Sequence, residues 1–333
     1  MNTEYRFITG EVLRDGDWDP ASDPDGILQG GVGLYREAIL EHPDFDENNP
    51  AVAVATLDGK IAGRFMLLHT RLKAGDRILP VLTGGGLLVG ERFRGLGVGY
   101  TLTNTVLDKQ TFFGALFTRA AWNIFRKRET MLQIPQFVRF RDWKKHPLAS
   151  LRLKIKLHSL YSRFIVKRMI LVPDWAARMI AGDGHKYREI HTTAWLQWAL
   201  DHTVTGNPAD YQAFYAVFDK KARPAGFFMT KVRHLQDGNE AFVKANLVEW
   251  ATDCPGLDEA GINLLAADSY EAAVSRCWTI SENEETAAAL KRYGFERKGW
   301  FAISIGKHEV LEDAGDAALW RIRYGCCNTA LVE

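Results

Sequence analysis

Residues 87–101 read LLVGERFRGLGVGYT, an apolar strand that enters a turn carrying Arg94, Gly95, Gly97 and Gly99. The amphipathic run TLTNTVLDKQ (residues 101–110) follows at once. A strand feeding a glycine-rich turn that opens a helix is a device for binding phosphate. Glycine lets the backbone come close to an anion. The helix N-terminus presents unpaired N–H groups and a partial positive charge, and Arg94 adds a full one. The alternative is a turn whose glycines only pack a helix on a sheet.

Around this turn the chain is an ordinary globular one of 333 residues, 47% hydrophobic and 25% charged, long enough for about two domains. A net charge of +1 sets up no global field for nucleic acid or an acidic partner. Cys254, Cys277, Cys326 and Cys327 have the spacing of neither a zinc site nor a secreted disulfide framework. No metal is expected, and the expected location is a reducing cytoplasm. The start, MNTEYRFITGEV, has no signal-peptide pattern. No apolar run approaches the roughly 18 residues of a transmembrane helix.

The first half alternates between two periodicities. Residues 4–12 predict a strand and 31–42 (GVGLYREAILEH) a helix. AVAVATL (51–57), the turn signal Asp58-Gly59 and residues 61–71 predict a hairpin. Residues 79–89 continue it. The turn and its helix (98–109), a strand (112–118), a helix (121–128) and a strand (136–143) complete the order. Gly84, Gly85 and Gly86 interrupt the fourth strand, which reads either as a bulge or as slack in an edge region.

This order, together with Arg94-Gly95-Leu96-Gly97-Val98-Gly99 after the fourth strand, resembles the GNAT superfamily of N-acetyltransferases. Arg94, Gly97 and Gly99 match that family's signature of Gln or Arg, two residues, Gly, one residue, Gly or Ala. A Walker A loop needs Gly-Lys-Ser/Thr, absent here, and a dinucleotide fingerprint usually follows the first strand of a βαβ unit. The resemblance implies that the segment Arg94, Gly95, Leu96, Gly97, Val98, Gly99 and Tyr100 holds the pyrophosphate of acetyl-CoA or another acyl-CoA. It also implies that Leu87, Leu88 and Val89 pair with the pantetheine arm like an added strand.

The second half repeats the order, with strands at 211–219, 225–234, 242–252 and 274–280 and helices at 261–273 and 283–293. The helix ending Tyr293-Gly294-Phe295 resembles the family's last helix. The implied fold class is α+β: two tandem GNAT-like domains, each a mixed, mostly antiparallel central sheet flanked by helices. The expected divisions are 1–145 for the cofactor domain, 146–185 for a connector and 186–333 for a degenerate second copy. The counterpart turn, 253–261 (DCPGLDEAG), lacks arginine and carries Asp253, Asp258 and Glu259. Acids there repel pyrophosphate, so coenzyme A is expected only in the first half.

The connecting stretch is basic: Arg139, Arg141, Lys144, Lys145, Arg152, Lys154, Lys156, Arg163, Lys167 and Arg168 face only Asp142. Residues 151–157 (LRLKIKL) alternate with period two, whereas 157–170 suit a helix better. The stretch reads either as a surface for an anionic partner, namely a nucleotide-sugar, a membrane face or RNA, as a contributor to the 3′-phosphate site of coenzyme A, or as a solvated connector whose leucines and isoleucines dock on one domain.

Amine acetylation needs a deprotonated amine, a donor to the thioester carbonyl and, where one is used, an acid for the leaving thiol. The resemblance gives the donor role to a backbone N–H at Leu87 or Leu88. Phe125 stands where the family often has an acidic tyrosine, and Glu129-Thr130 replace its Gly-Phe. Candidate catalytic residues in the first half are Glu91, beside the turn, and His69 on the third strand. Glu249, Asp253, Glu282 and Glu284 lie at or beyond strand ends of the second half. The resulting expectation is an acetyl-CoA-dependent N-acyltransferase acting on a small-molecule amine, an amino sugar or polysaccharide precursor being one class of acceptor. The alternatives are a coenzyme A-binding protein without turnover, and an interaction module using the basic stretch.

Overall fold

The structure is a computed structural model. It describes residues 2–326 except 17–21, 24, 110, 112, 117–118, 129, 141–146, 204, 206, 238–239, 270–273 and 307. Glu129, Arg141, Asp142, Lys144, Lys145 and Cys327 therefore lie outside the described residues, as do the ends of the strand expected at 112–118. The class is α+β, as expected. The chain forms two compact units, Met1–Leu132 with Ala302–Gly315, and Gln133–Phe301 with Asp316–Cys326. This division differs from the contiguous one expected from sequence, because the chain changes unit inside two strands near residues 132 and 301.

The first unit runs β1 (Thr3–Thr9), α1 (Gly10–Asp15), α2 (Gln29–Leu40), β2 (Pro50–Leu57), β3 (Lys60–Ala74), β4 (Arg77–Val89), α3 (Val98–Leu107), β5 (Phe113–Leu116) and α4 (Arg119–Phe125). β1 to β4 form an antiparallel meander. Asp58 (φ 48°) and Gly59 (φ 77°) both adopt positive φ, the type I′ geometry whose twist matches the flanking strands. The sheet is buried on both faces, which is why β2 is apolar from Pro50 to Ala55 rather than alternating. Ala53, Ala55 and Leu57 enter a core with Leu102 and Val106 of α3 and Phe125 of α4. Val52 and Val54 enter another with Leu13 and Ile39 of the first two helices.

The chain then continues through β6 (Thr130–Phe140), α5 (Pro147–Arg163), β7 (Phe164–Met169), α6 (Asp174–Ala181), β8 (Tyr187–Glu189), α7 (Thr193–Asp201), β9 (Tyr211–Asp219), β10 (Pro224–Asp237), β11 (Glu240–Thr252), α8 (Glu259–Ser269), β12 (Val274–Ile280), α9 (Glu284–Arg292), β13 (Glu296–Ile305) and β14 (Trp320–Arg321). In the second unit β7, β9, β10 and β11 are successive antiparallel neighbours. β11 pairs in parallel with β12 only from Val243 to Asn246, and β12 pairs with residues 136–140. Residues 302–305 pair with β5 in the first unit. The order of three antiparallel strands, helix, strand, helix, strand thus occurs twice, as β2–β6 with α3 and α4 and as β9–β13 with α8 and α9. Gly294 (φ 88°) ends α9 in a Schellman arrangement, with Phe295 N–H donating to Leu290 O at 3.1 Å.

The basic stretch departs from its expected local structure. Residues 151–157 are helical within α5, and 164–169 are strand rather than helix. The period-two spacing misled because α5 carries aliphatic residues on two faces. Leu153, Leu157 and Leu160 are buried, while Leu151 and Ile155 are exposed.

Candidate phosphate-binding turn and groove

The turn between β4 and α3 is built so that backbone donors stay open. After β4 comes a 3₁₀ turn, Glu91–Phe93, in which Phe93 N–H donates to Gly90 O at 2.9 Å. Gly95 (φ 83°) and Gly97 (φ 78°) then take left-handed conformations that a Cβ disfavours. Gly97 is the residue capping α3 and has no side chain to fill the helix start. Thr101 N–H donates to Gly97 O at 3.0 Å. Among the described residues, the N–H groups of Gly95, Gly97, Val98, Gly99 and Tyr100 meet no acceptor. Arg94, Leu96 and Tyr100 are exposed around them. These are the donors and the charge an anion needs.

Small residues bring α3 close to the strands. A Cβ at Gly99 would lie 3.2 Å from Val89 Cγ2, and one at Gly63 on β3 would lie 3.0 Å from Leu88 O and 3.3 Å from Val98 Cγ1. Gly90 is tighter still: a Cβ would sit 2.9 Å from Ile27 Cδ1 and 3.2 Å from Asp25 Oδ2.

Of the two readings of Gly84 to Gly86, β4 shows the bulge. Its pairing with β3 shifts between Arg64↔Leu88 and Met66↔Gly85, and Gly86 within the shift has φ 59°, the left-handed glycine of a G1-type bulge. The buried Arg64 guanidinium holds it. Nε donates to Ile27 O at 2.7 Å and Nη1 to Gly86 O at 3.1 Å. Burial lowers the pKa of Arg64, against the raising influence of Tyr35 and Asp23. Asp23 in turn accepts from the N–H groups of Ile27 and Leu28, both at 2.7 Å, ahead of α2. The outcome is an open groove lined by Ile27, Leu88, Val89, Gly90, Arg92 and Arg94. Among the described residues only β3 pairs with β4 along this stretch. Leu87 and Val89 pack on the core below, and Leu88 is exposed.

The structure thus brings Leu88, Val89, Glu91 and Arg94 to one groove, and Gly95 to Tyr100 follow Arg94 in the chain. Glu91 Oε1 lies 3.6 Å from Arg94 Nη1, and its side chain is 89% exposed. His69 is placed elsewhere. It pairs with Leu82, about 20 Å along the strand from Leu88 at roughly 3.3 Å per residue. Its Nε2 lies 3.0 Å from Pro50 O, and burial lowers its pKa despite the raising bond to Pro50. Phe125 is buried in the core, 2% exposed. Sequence reasoning missed Arg64, Asp23 and Ile27. A lone arginine inside the apolar run KIAGRFMLL (residues 60–68) was the available signal, since a buried charge needs partners.

The second unit fills the same kind of turn with its own side chains. Asp258 accepts from Gly261 N–H at 2.6 Å and so caps α8. Arg163 Nη2 donates to Gly256 O at 2.9 Å, and a Cβ at Gly256 would meet Arg163 Nη1 at 2.5 Å. Glu249 and Glu282 are also committed internally. Glu249 Oε1 accepts from Arg321 Nη2 at 2.6 Å and Oε2 pairs with His191 Nδ1. Glu282 Oε1 accepts from Arg323 Nη1 at 2.7 Å. Burial acts to raise the Glu249 pKa, but Arg321 and His191 hold it down to about 2. Asp253 and Glu284 are exposed.

No protein-family model matches the chain, and no curated protein sequence matches it. Solved structures do. A GCN5-related N-acetyltransferase from Anabaena variabilis matches with a TM-score of 0.56 at 13% identity, over 91% of this chain and 72% of its own. A GCN5-related N-acetyltransferase from Kribbella flavida gives 0.51 at 14%, over 90% and 71%. Saccharomyces cerevisiae N-myristoyltransferase with bound myristoyl-CoA gives 0.51 at 11%, over 91% and 82%. With the strand order and the glycine turn already in hand, these matches establish that the chain has the fold of the GCN5-related N-acetyltransferases.

Proposed function

We propose that the protein is an acyl-CoA-dependent N-acyltransferase whose cofactor, acetyl-CoA or another acyl-CoA, binds in the first unit. The observation that carries this reading is the contrast between the two turns. In the first, the N–H groups of Gly95, Gly97, Val98, Gly99 and Tyr100 are open beside Arg94. In the second, Asp258 occupies the N–H of Gly261, the position that matches Tyr100, and Arg163 donates to the carbonyl of Gly256. The solved structures of this fold, one of them with myristoyl-CoA bound, support the same ligand class.

The residues fit such a cofactor. The backbone donors from Gly95 to Tyr100 and the Arg94 guanidinium would hold the pyrophosphate, and the edge of β4 at Leu87, Leu88 and Val89 would align the pantetheine arm. The cofactor when bound supplies an activated acyl carbonyl. A backbone N–H at Leu87 or Leu88 would donate to that carbonyl oxygen and stabilise the charge developing there. Glu91, at the groove and solvated, would take the proton of a small-molecule amine directly or through water.

Calorimetry with coenzyme A and a thiol-release assay over an amine panel test the proposal. Tight binding lost in Arg94→Glu, with thiol release for at least one amine, is expected. Undiminished binding in Arg94→Glu refutes the site. The buried Phe125 where an acidic tyrosine was expected favours a second reading, a coenzyme A-binding protein without turnover. Binding with no release for any amine supports that reading.

A further inference from the structure

We infer that α5 docks the protein on an anionic lipid surface. The inference is independent of the cofactor site, since α5 belongs to the second unit. One face of α5 is committed to its own unit through Leu153, Leu157 and Leu160, all buried. Leu148, Leu151 and Ile155 are 71%, 56% and 63% exposed. At about 100° per residue these three fall within an arc of about 60°, on the side of the helix away from the buried leucines. Arg152 flanks the stripe on one side, Lys154 and His158 on the other, and all three are exposed. Among the described residues neither Arg152 nor Lys154 meets a carboxylate.

The charge around the helix selects the partner. Residues 143–173 contain eight lysines and arginines and no aspartate or glutamate. A second copy of this face would meet like charge. Nucleic acid would engage the cations, but single strands also use aromatic stacking platforms, and the exposed stripe is aliphatic. Aliphatic side chains between cations suit the boundary between headgroups and acyl chains: the stripe enters the apolar layer while the cations meet anionic headgroups. Ile170 and Leu171, 86% and 69% exposed after β7, add apolar surface to the same basic segment.

The test uses the whole protein and vesicles of phosphatidylcholine with or without 30% phosphatidylglycerol, the proportion being a choice of about one anionic lipid in three. Sedimentation is expected to show at least about tenfold stronger binding to the anionic vesicles, weakening as salt rises. Arg152→Glu with Lys154→Glu is expected to weaken it at least about thirtyfold. Leu151→Ser with Ile155→Ser is expected to weaken it at least about tenfold, with circular dichroism unchanged. Hydrogen exchange of the unaltered protein gives a readout that needs no variant: amides of α5 are expected to gain protection on anionic vesicles. Equal binding to neutral and anionic vesicles, or no added protection, overturns the inference. So does a charge variant that loses binding to single-stranded RNA while the Leu151/Ile155 variant keeps full vesicle binding, which assigns the face to nucleic acid.

Discussion

Gly97→Asp would give the first turn the device that closes the second. Gly97 occupies at α3 the capping position that Asp258 occupies at α8, so an aspartate there is expected to accept from the N–H of Tyr100. No heavy atom lies within 4 Å of an added Cβ, and the penalty comes from φ 78°. A non-glycine residue in that conformation costs about 1–2 kcal/mol, and a side-chain cap returns about 1 kcal/mol. Stability should therefore change by no more than about 1 kcal/mol. Binding should change far more. The new carboxylate takes the Tyr100 N–H, a charge-assisted hydrogen bond to pyrophosphate worth about 1.5–3 kcal/mol, and repels what remains. The expected loss is at least about one to two orders of magnitude in coenzyme A affinity. Calorimetry measures the affinity and thermal unfolding checks the fold. Affinity within about threefold of the parent, which is under 1 kcal/mol, in a protein of unchanged stability would show that the open donors do not hold the cofactor.

Other substitutions probe the scaffold. Gly90→Ala puts a methyl against Ile27 and Asp25 and should lower stability by about 1–2 kcal/mol, read as a shifted urea midpoint. Phe125→Tyr introduces a hydroxyl into the apolar core. It should cost about 1–3 kcal/mol without raising thiol release, and increased release would restore this position as the acid. Glu249→Gln breaks a buried pair with Arg321 and His191 and should cost about 3–5 kcal/mol in urea unfolding. The same group sets a pH dependence. Its folded pKa of about 2 lies below the unfolded value, so its stabilisation is present above roughly pH 4.3 and is lost as pH falls toward 2. His191 acts oppositely. Burial works to lower its pKa, but Glu189 and Glu249 outweigh burial and raise it. Its contribution is full below roughly pH 6.5 and is lost as pH rises through the raised value. Unfolding free energy against pH should therefore rise from acid, pass through a maximum and decline on the alkaline side. In Glu249→Gln both slopes should flatten.

What could be read in advance was whatever one residue enforces locally. The pair Asp58-Gly59 forces its turn through positive φ, and Gly86 forces the bulge. The glycines at 95 and 97 force a turn closed to other residues, and α3 follows because nothing breaks its apolar face. What depended on distant partners was hidden. Arg64 is explained by carbonyls 37 and 22 positions away, and Glu249 by Arg321, 72 positions on. The His69 candidacy came from a strand position alone, and register with Leu82 places it far from the turn. In LRLKIKL, leucines alternating by two suggest a strand. Only the docking of Leu153 and Leu157, with Leu151 and Ile155 left outside, shows a helix with two unlike aliphatic faces.

The two turns also constrain why the first remains open. A helix start gains about 1 kcal/mol from a capping side chain. The second unit takes this gain with Asp258, and Arg163 donates to Gly256 O. The first unit forgoes it at Gly97 and exposes Arg94 beside the turn. Packing alone explains glycine at 99, where Val89 leaves little room, but not at 95 or 97, where no atom lies within 4 Å of an added Cβ. Glycine at those two positions serves the conformation of the backbone rather than space for a neighbour. That conformation directs donors outward, where only a ligand or water meets them. Open donors on a glycine backbone that no neighbour crowds are the arrangement the proposed anion site needs.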